Sequence, residues 1–174
     1  MGKTLFVTVG TTLFDKLVLS TTSPEALKWM LSKGFTRLIV QYGKGVEPSL
    51  PEEWTSRFET VEAYRFKPTL SDDMKAADLI LSHAGAGTVM EAMTLGKHLV
   101  VVINTALMDN HQMELANAMG DLGHLFVVTS PDEMQDLTIW DQFVTFHPVP
   151  YQSGDDKDFP WIVDNLVGFS SKDN

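Results

Sequence analysis

Short apolar runs alternate along the chain with segments whose apolar residues recur every three to four positions. The run Leu99–Ile103 is uninterrupted, as in strands buried on both faces of a parallel sheet. Val89, Ala92 and Met93 follow helical spacing instead. With right-handed crossovers, this alternation predicts an α/β fold: a Rossmann-like, mainly parallel sheet with helices on both faces.

The same pattern predicts where each element lies. Strands are expected at Leu5–Val9, Arg37–Gln41, Thr60–Phe66, Leu79–Leu81, His98–Ile103 and Leu125–Val128. Helices are expected through Leu13–Val18, from Ser23 to Leu31, at Leu70–Ala77, between the Gly87 turn and Gly96, at His111–Leu122 and from Ser130 onward. The proline-containing segment Val46–Trp54 is expected to be irregular.

The last part of the chain has a different composition. Residues 1–150 are expected to form one domain, and residues 151–174 to form an acidic loop followed by a C-terminal helix. The apolar residues between Phe159 and Phe169 fall close to helical spacing. This helix is expected either to pack on its own domain or to dock on a partner protein, and the two arrangements are compatible.

Composition narrows the class of protein. The net charge is −10, which argues against a broad basic face and therefore against a nucleic-acid partner. The chain has no cysteine, which excludes disulfides and thiolate metal sites and suits a reducing compartment. With no secretory or membrane-spanning apolar run in the sequence, the expectation is a soluble, cytoplasmic protein.

The stretch Asp78–Gly96 reads as strand, glycine turn and helix. Ligands bind beyond the carboxyl ends of the strands in open parallel sheets, and free N–H groups at a helix start suit phosphate. Gly85 and Gly87 would allow a ligand close to the backbone. The alternative is a tight connection that binds nothing.

A second turn of this kind follows the first strand. Thr11 and Thr12, after Gly10, offer hydroxyls and N–H groups to an anion, although they could equally cap the next helix. The turn lacks both the GxGxxG spacing and the GxxxxGK[ST] spacing. A dinucleotide fingerprint and a P-loop are therefore not supported.

Three segments together resemble a known family: Val7–Thr12, Ser82–Thr88 and Asn110–Ala116, with further likeness in Phe159–Phe169. The family is that of the soluble catalytic subunits of the eukaryotic two-subunit UDP-N-acetylglucosamine transferases of dolichol-linked oligosaccharide synthesis. More distantly, the chain is similar to the C-terminal, donor-binding half of the bacterial peptidoglycan N-acetylglucosaminyltransferases of glycosyltransferase family 28.

The resemblance implies one half-domain of a GT-B glycosyltransferase that binds UDP-GlcNAc. It implies GlcNAc-diphosphate-dolichol as acceptor, on the cytosolic face of the endoplasmic reticulum. It further implies a separate, membrane-anchored acceptor-binding subunit, which recruits this chain. The residues implied to bind that partner are Trp161, Ile162, Leu166 and Phe169.

The resemblance also implies roles for particular residues. Both glycine turns would face the diphosphate and donor, Glu91 would hold the ribose hydroxyls, the loop from Phe66 to Leu70 would read uracil, and His111 and Gln112 would lie near the transferred sugar. The implied donor contacts are Gly10, Thr11, Thr12, Phe66, Leu70, His83, Gly85, Ala86, Gly87, Thr88, Glu91, Asn110, His111 and Gln112.

Each of these roles has a plainer alternative. Glu91 could be an ordinary exposed helix residue, and His83 a hydrogen-bonded core histidine instead of a phosphate or sugar ligand. Asp109 and Gln112 fit a capping box that needs no sugar.

The implied reaction is transfer of GlcNAc to a hydroxyl with inversion, which needs a general base and stabilisation of the departing UDP. The glycine turns of the sequence offer groups that can stabilise the departing UDP. For the general base, the sequence offers only two weak candidates, His83 and Asp15. The hypothesis is that the partner supplies the base. Without an acidic pair or DxD motif, no obligatory metal or cofactor is expected. Two other classes stay open: a non-enzymatic nucleotide-sugar binding module and a Rossmann-type oxidoreductase.

Overall fold

A computed structural model describes residues 2–107 and 110–152, apart from the side chains of residues 110 and 111. The strands are β1 Lys3–Thr8, β2 Phe35–Gln41, β3 Thr60–Tyr64, β4 Leu79–His83, β5 Leu99–Val102 and β6 Phe126–Val128. The helices are α1 Asp15–Thr21, α2 Pro24–Ser32, α3 Glu52–Thr55, α4 Ser71–Ala76, α5 Ala86–Thr94, α6 Asn110–Asp121 and α7 Leu137–Thr145, with a 3-10 helix at Pro131–Gln135.

The six strands form one sheet in the order β3-β2-β1-β4-β5-β6. Every neighbouring pair is parallel. This is the strand order of the Rossmann fold, so the predicted fold class is confirmed. The chain leaves β1 toward β2 on one side and leaves β4 toward β5 on the other. The switch point between β1 and β4 is where such sheets bind ligands.

Alternate residues of the strands point into two separate cores. Leu5 and Val7 face α1, α2 and α7, whereas Phe6 and Ile80 face α4, α5 and α6. Burial on both faces explains the uninterrupted apolar runs of the sequence, because both sides of each strand need apolar side chains.

Several predicted boundaries are wrong by a few residues. Helix α1 begins at Asp15, and Leu13 lies before it with about half of its surface (52%) exposed. The third strand ends at Tyr64, because the Arg65 carbonyl accepts from a side-chain amide instead of continuing the ladder. The single turn of α3 occupies part of the segment expected to be irregular.

The segment after Ser130 contains two short helices instead of one. The Ser130 hydroxyl accepts from the Asp132 N–H and starts the 3-10 helix. The Asp136 carboxylate then accepts from the Thr138 N–H at 2.9 Å and starts α7 as a new helix. Side-chain caps at both positions divide the segment, because each satisfies N–H groups of its own helix start.

The expected division near residue 150 stays a prediction, as do the partner-binding positions Trp161, Ile162, Leu166 and Phe169, which lie outside the described residues. Among the helices that the structure describes, none is both long and apolar enough to cross a bilayer.

Candidate functional site

A cleft of about 560 Å³ opens at the carboxyl edge of the sheet, over the switch point between β1 and β4. Loops that follow β1, β3 and β4 line it, together with the start of α6. Predicted residues that the structure brings together there are Gly10, Thr11, Thr12, Phe66, Leu70, His83, Gly85, Ala86, Gly87, Thr88, Glu91 and Gln112.

The turn after β4 leads directly into helix α5, whose first residue is Ala86. The first intrahelical bond runs from the Val89 N–H to the Gly85 carbonyl, and no side chain of residues 2–107 or 112–152 caps the helix. Within the described residues, the N–H groups of Ala86, Gly87 and Thr88 therefore have no acceptor. Three free donors at the positive end of a helix dipole are an anion-binding arrangement.

The turn after β1 differs. The Gly10 N–H donates to the side chain of Gln41 at 2.9 Å, and the Thr12 N–H and hydroxyl both donate to the Val9 carbonyl. Thr11 is exposed, and its N–H has no acceptor in the part of the chain that the structure describes. The expectation that both threonines offer free donors is therefore wrong for Thr12. Neither threonine caps α1, whose N-cap is Phe14 without a side-chain bond.

His83 lies at the end of β4, beneath both glycine turns, and only 7% of its surface is exposed. A Cβ atom built on Gly10 would lie 2.7 Å from the His83 ring, and one built on Gly85 would lie 2.2 Å from its Nε2. Both turns carry glycine because the imidazole occupies the space that a side chain would need. Gly10 also has a φ of 62°, which favours glycine.

Burial lowers the pKa of His83 to about 4, against the opposing effect of a hydrogen bond to the Thr8 backbone. The imidazole is therefore neutral at neutral pH. A neutral ring with so low a pKa is a weak proton acceptor, because a general base works best with a pKa near the operating pH.

The loop from Phe66 to Leu70 forms the opposite wall of the cleft. The Phe66 ring is half exposed (50%), and the buried side chain of Met74 also lines the cleft. Such an apolar wall beside open backbone suits a flat ring system.

Lys67 is the one cationic side chain lining this cleft among the described residues. Its ammonium lies 2.9 Å from the Glu62 carboxylate and 3.0 Å from that of Asp73. Burial lowers the pKa of Lys67, but the two carboxylates outweigh that effect and raise it. Because Lys67 is already paired, backbone N–H groups are the main positive feature left in the cleft.

Asp15 does not join the cleft. Its carboxylate accepts from the Val46 N–H at 3.0 Å, beside Gly45 in the loop after β2. Glu91 and Gln112 both line the cleft, and Glu91 is exposed. Asn110 and His111 begin α6, but their side chains are outside the description. The alternative capping role for Gln112 involves Asp109, which is also outside it.

Two lining residues outside the predicted turns and the Phe66–Leu70 loop were missed from the sequence: Gln41 and Met74. Gln41 had a recognisable signal, because it is a polar residue that directly continues the apolar run Leu38–Val40 at the carboxyl end of a strand. Met74 had no such signal, since a methionine at helical spacing is ordinary.

Comparison with known families decides the assignment. The family model described as glycosyltransferase family 28 C-terminal domain matches residues 4–138, a range that runs from β1 to the start of α7. The chain belongs to glycosyltransferase family 28. This assignment decides against the oxidoreductase class.

Among curated relatives of this family 28 chain, the human UDP-N-acetylglucosamine transferase subunit ALG13 is 47% identical over 127 residues. That alignment covers 73% of this chain and 11% of the human protein, so the chain spans about a ninth of that relative.

Solved structures agree on the fold. An NMR structure of ALG13 superposes with a TM-score of 0.67 at 24% identity, covering 95% of this chain and 98% of that one. The glycotransferase of kitacinnamycin superposes with a TM-score of 0.59 at 20% identity, covering 95% of this chain but 37% of that one. The family 28 chain therefore has the fold of one GT-B half-domain.

Proposed function

We propose that this chain is the donor-binding, catalytic subunit of an inverting β-1,4-N-acetylglucosaminyltransferase that uses UDP-GlcNAc. The acceptor is GlcNAc-diphosphate-dolichol, in early N-glycan precursor assembly. One observation carries the proposal: three N–H groups with no acceptor among the described residues begin α5 at the switch point of the sheet, and Glu91 lies about one turn further along the same helix in the same cleft. The identity of the sugar nucleotide is inferred from the name of the human relative, a UDP-N-acetylglucosamine transferase subunit.

The cleft offers a suitable contact for each part of a nucleoside diphosphate: the diphosphate, the ribose and the base. The N–H groups of Ala86, Gly87 and Thr88 bind the diphosphate, where charge develops as UDP departs. The Glu91 carboxylate accepts hydrogen bonds from the ribose hydroxyls, and the wall from Phe66 to Leu70 takes the uracil. Because peptide dipoles stabilise the leaving group, the reaction needs no obligatory metal.

The general base comes from the partner subunit. His83 is buried with a pKa of about 4, and the Asp15 carboxylate is bound to the Val46 N–H away from the cleft. Neither suits proton abstraction from an acceptor hydroxyl. The chain is active only when a membrane-anchored, acceptor-binding subunit holds it at the cytosolic face of the endoplasmic reticulum.

The donor site is tested by calorimetry with UDP and 2′-deoxy-UDP. Wild-type protein is expected to bind UDP about tenfold more tightly than the deoxy analogue, whereas Glu91→Ala loses that preference, because a hydrogen bond to a charged group is worth about 1.5–3 kcal/mol. Glu53→Ala, in the exposed helix α3, is the matched control. An unchanged preference in Glu91→Ala refutes the ribose role.

Catalysis is tested by transfer of labelled GlcNAc to the lipid acceptor in membranes that contain the partner subunit. Transfer is expected only when both subunits are present and is expected to survive EDTA. Robust transfer by the isolated chain refutes the split site. UDP-GlcNAc binding without transfer, even with the partner, favours the alternative of a non-enzymatic nucleotide-sugar binding module.

The docking role of the last residues is a separate proposal. Deleting residues from Trp161 onward is expected to abolish co-purification with the membrane subunit while UDP binding persists. Normal co-purification of the shortened chain contradicts it.

A further inference from the structure

The side-chain amide of Gln41 is the most heavily engaged polar group in the cleft. Its Oε1 accepts from the Thr8 hydroxyl at 2.5 Å, the Val9 N–H at 3.1 Å and the Gly10 N–H at 2.9 Å. Its Nε2 donates to the Gly10 carbonyl at 2.6 Å and to the Arg65 carbonyl at 2.8 Å. Only 1% of the residue is exposed, so these bonds are shielded from water.

This single amide binds both polar groups of Gly10. Gly10 has a φ of 62°, a conformation open to several turn geometries, and Gln41 selects one of them. The following residue, Thr11, is left on the cleft surface with its N–H free of described partners. The orientation of the first turn therefore depends on a residue of β2.

The same amide reaches the other wall. The Arg65 carbonyl marks the end of β3, and the loop from Phe66 to Leu70 starts at the next residue. Gln41 thus connects the first turn to that loop across the ends of three neighbouring strands, and so sets their separation. A side-chain amide offers an acceptor on its oxygen and two donors on its nitrogen, whereas methionine offers no donor.

We propose that Gln41 is a positioning residue for the nucleotide, acting through the Gly10–Thr12 turn and the Phe66–Leu70 loop. Its own donors and acceptor are engaged by protein groups, so its effect on the ligand is indirect. The inference rests on the proposed donor site, because a nucleoside diphosphate must contact both elements at once.

The test is UDP binding to the full chain by NMR titration, at a temperature where circular dichroism shows each variant to be folded. Gln41→Met, which keeps the length of the side chain without its amide, is expected to weaken UDP binding at least tenfold and to shift amide resonances of both the turn and the loop. Thr21→Val is the matched control, since it removes a buried hydroxyl that donates to the Val18 carbonyl at 2.9 Å, away from the cleft.

A purely structural role lowers the melting temperature in both variants but leaves the UDP affinity of the folded protein unchanged. UDP affinity of Gln41→Met within threefold of wild type therefore overturns the proposal, and a larger loss supports it. If Gln41→Met does not fold, Thr8→Val is tested in its place, because it removes the hydrogen bond from the Thr8 hydroxyl to Oε1. A loss of UDP affinity of more than threefold in Thr8→Val, with no loss in Thr21→Val, supports the proposal, and a smaller loss overturns it. Wild-type protein that does not bind UDP refutes the proposed function itself, a result distinct from either outcome.

Discussion

The two glycine turns of the cleft look alike in sequence but offer different chemistry. The turn after β4 opens α5 at once and leaves the N–H groups of Ala86, Gly87 and Thr88 without described acceptors. In the turn after β1, the N–H groups of Gly10 and Thr12 are bound by protein oxygens, and α1 starts only at Asp15.

The difference shows that a glycine turn after a parallel strand is an anion site only if its N–H groups stay free. The second turn supplies donors, whereas the first supplies one exposed residue, Thr11, on a backbone fixed by Gln41. What the turns share is His83, whose ring fills the side-chain space of both Gly10 and Gly85.

The largest expected effect is the loss of stability when the glycine of either turn is replaced by alanine, and this loss should differ between the two turns. Gly10→Ala and Gly85→Ala both force a Cβ against the His83 ring, at 2.7 and 2.2 Å, and overpacking of this kind costs about 1–3 kcal/mol. Gly10→Ala additionally places alanine at a positive φ, which adds about 1–2 kcal/mol. Chemical denaturation measures both losses. Equal stability of Gly10→Ala and wild type contradicts the packing described for His83.

Acidification probes the group that the turns share. The folded pKa of His83 lies below the ordinary value, so between pH 6.5 and 4 the unfolded chain binds a proton that the folded chain does not. The contribution of the buried, neutral His83 ring to the free energy of unfolding is therefore fully present above pH 6.5. It is lost as the pH falls toward 4. The shift from 6.5 to about 4 corresponds to about 3 kcal/mol.

His83→Asn is expected to unfold with a shallower dependence on pH across this window. His98→Asn serves as the comparison, because burial also lowers the pKa of His98, which lies away from the cleft. A pH dependence identical in wild type and His83→Asn shows that the ring is not buried as described.

Proline at the start of α5 tests the free donors directly. Ala86→Pro deletes one N–H at the first helical position, where proline fits and where the preceding Gly85 is already extended. Stability is expected to stay within about 0.5 kcal/mol of wild type, while UDP binding falls about 10–100-fold because a hydrogen bond to a charged group is worth about 1.5–3 kcal/mol.

The matched control is Glu52→Pro, at the same position of α3 and outside the cleft. It is expected to leave calorimetric UDP affinity unchanged. Unaltered UDP binding by Ala86→Pro means that the phosphates do not lie on α5.

The smallest expected effect concerns Gly87. A Cβ built there meets nothing within 4 Å, so Gly87→Ala is expected to raise thermal stability by about 0.4–1 kcal/mol. If Gly87→Ala gains stability but binds UDP more weakly, the ligand approaches the Gly87 backbone closely. A marked loss of stability contradicts the open space at this position.

The sequence, with the family resemblance that it carries, determined the fold class and most of the residues that line the cleft. Apolar runs and helical spacing are local properties, so strands such as Leu99–Val102 and helices such as α5 could be predicted from adjacent residues. The placement of Gly85 in the cleft followed because the carboxyl ends of parallel strands share one edge, whereas Glu91 was implied only by the family resemblance.

Only the tertiary structure decided which backbone donors are free and which candidate bases are plausible. Gly10 and Gln41 are 31 residues apart, and their hydrogen bond exists because β1 pairs with β2. The Asp15 carboxylate lies away from the cleft because it accepts a hydrogen bond from the Val46 N–H, also 31 residues distant. The low pKa of His83 comes from burial among several elements. Hydrogen-bond partners and desolvation depend on contacts between distant segments, and these have no counterpart in local periodicity.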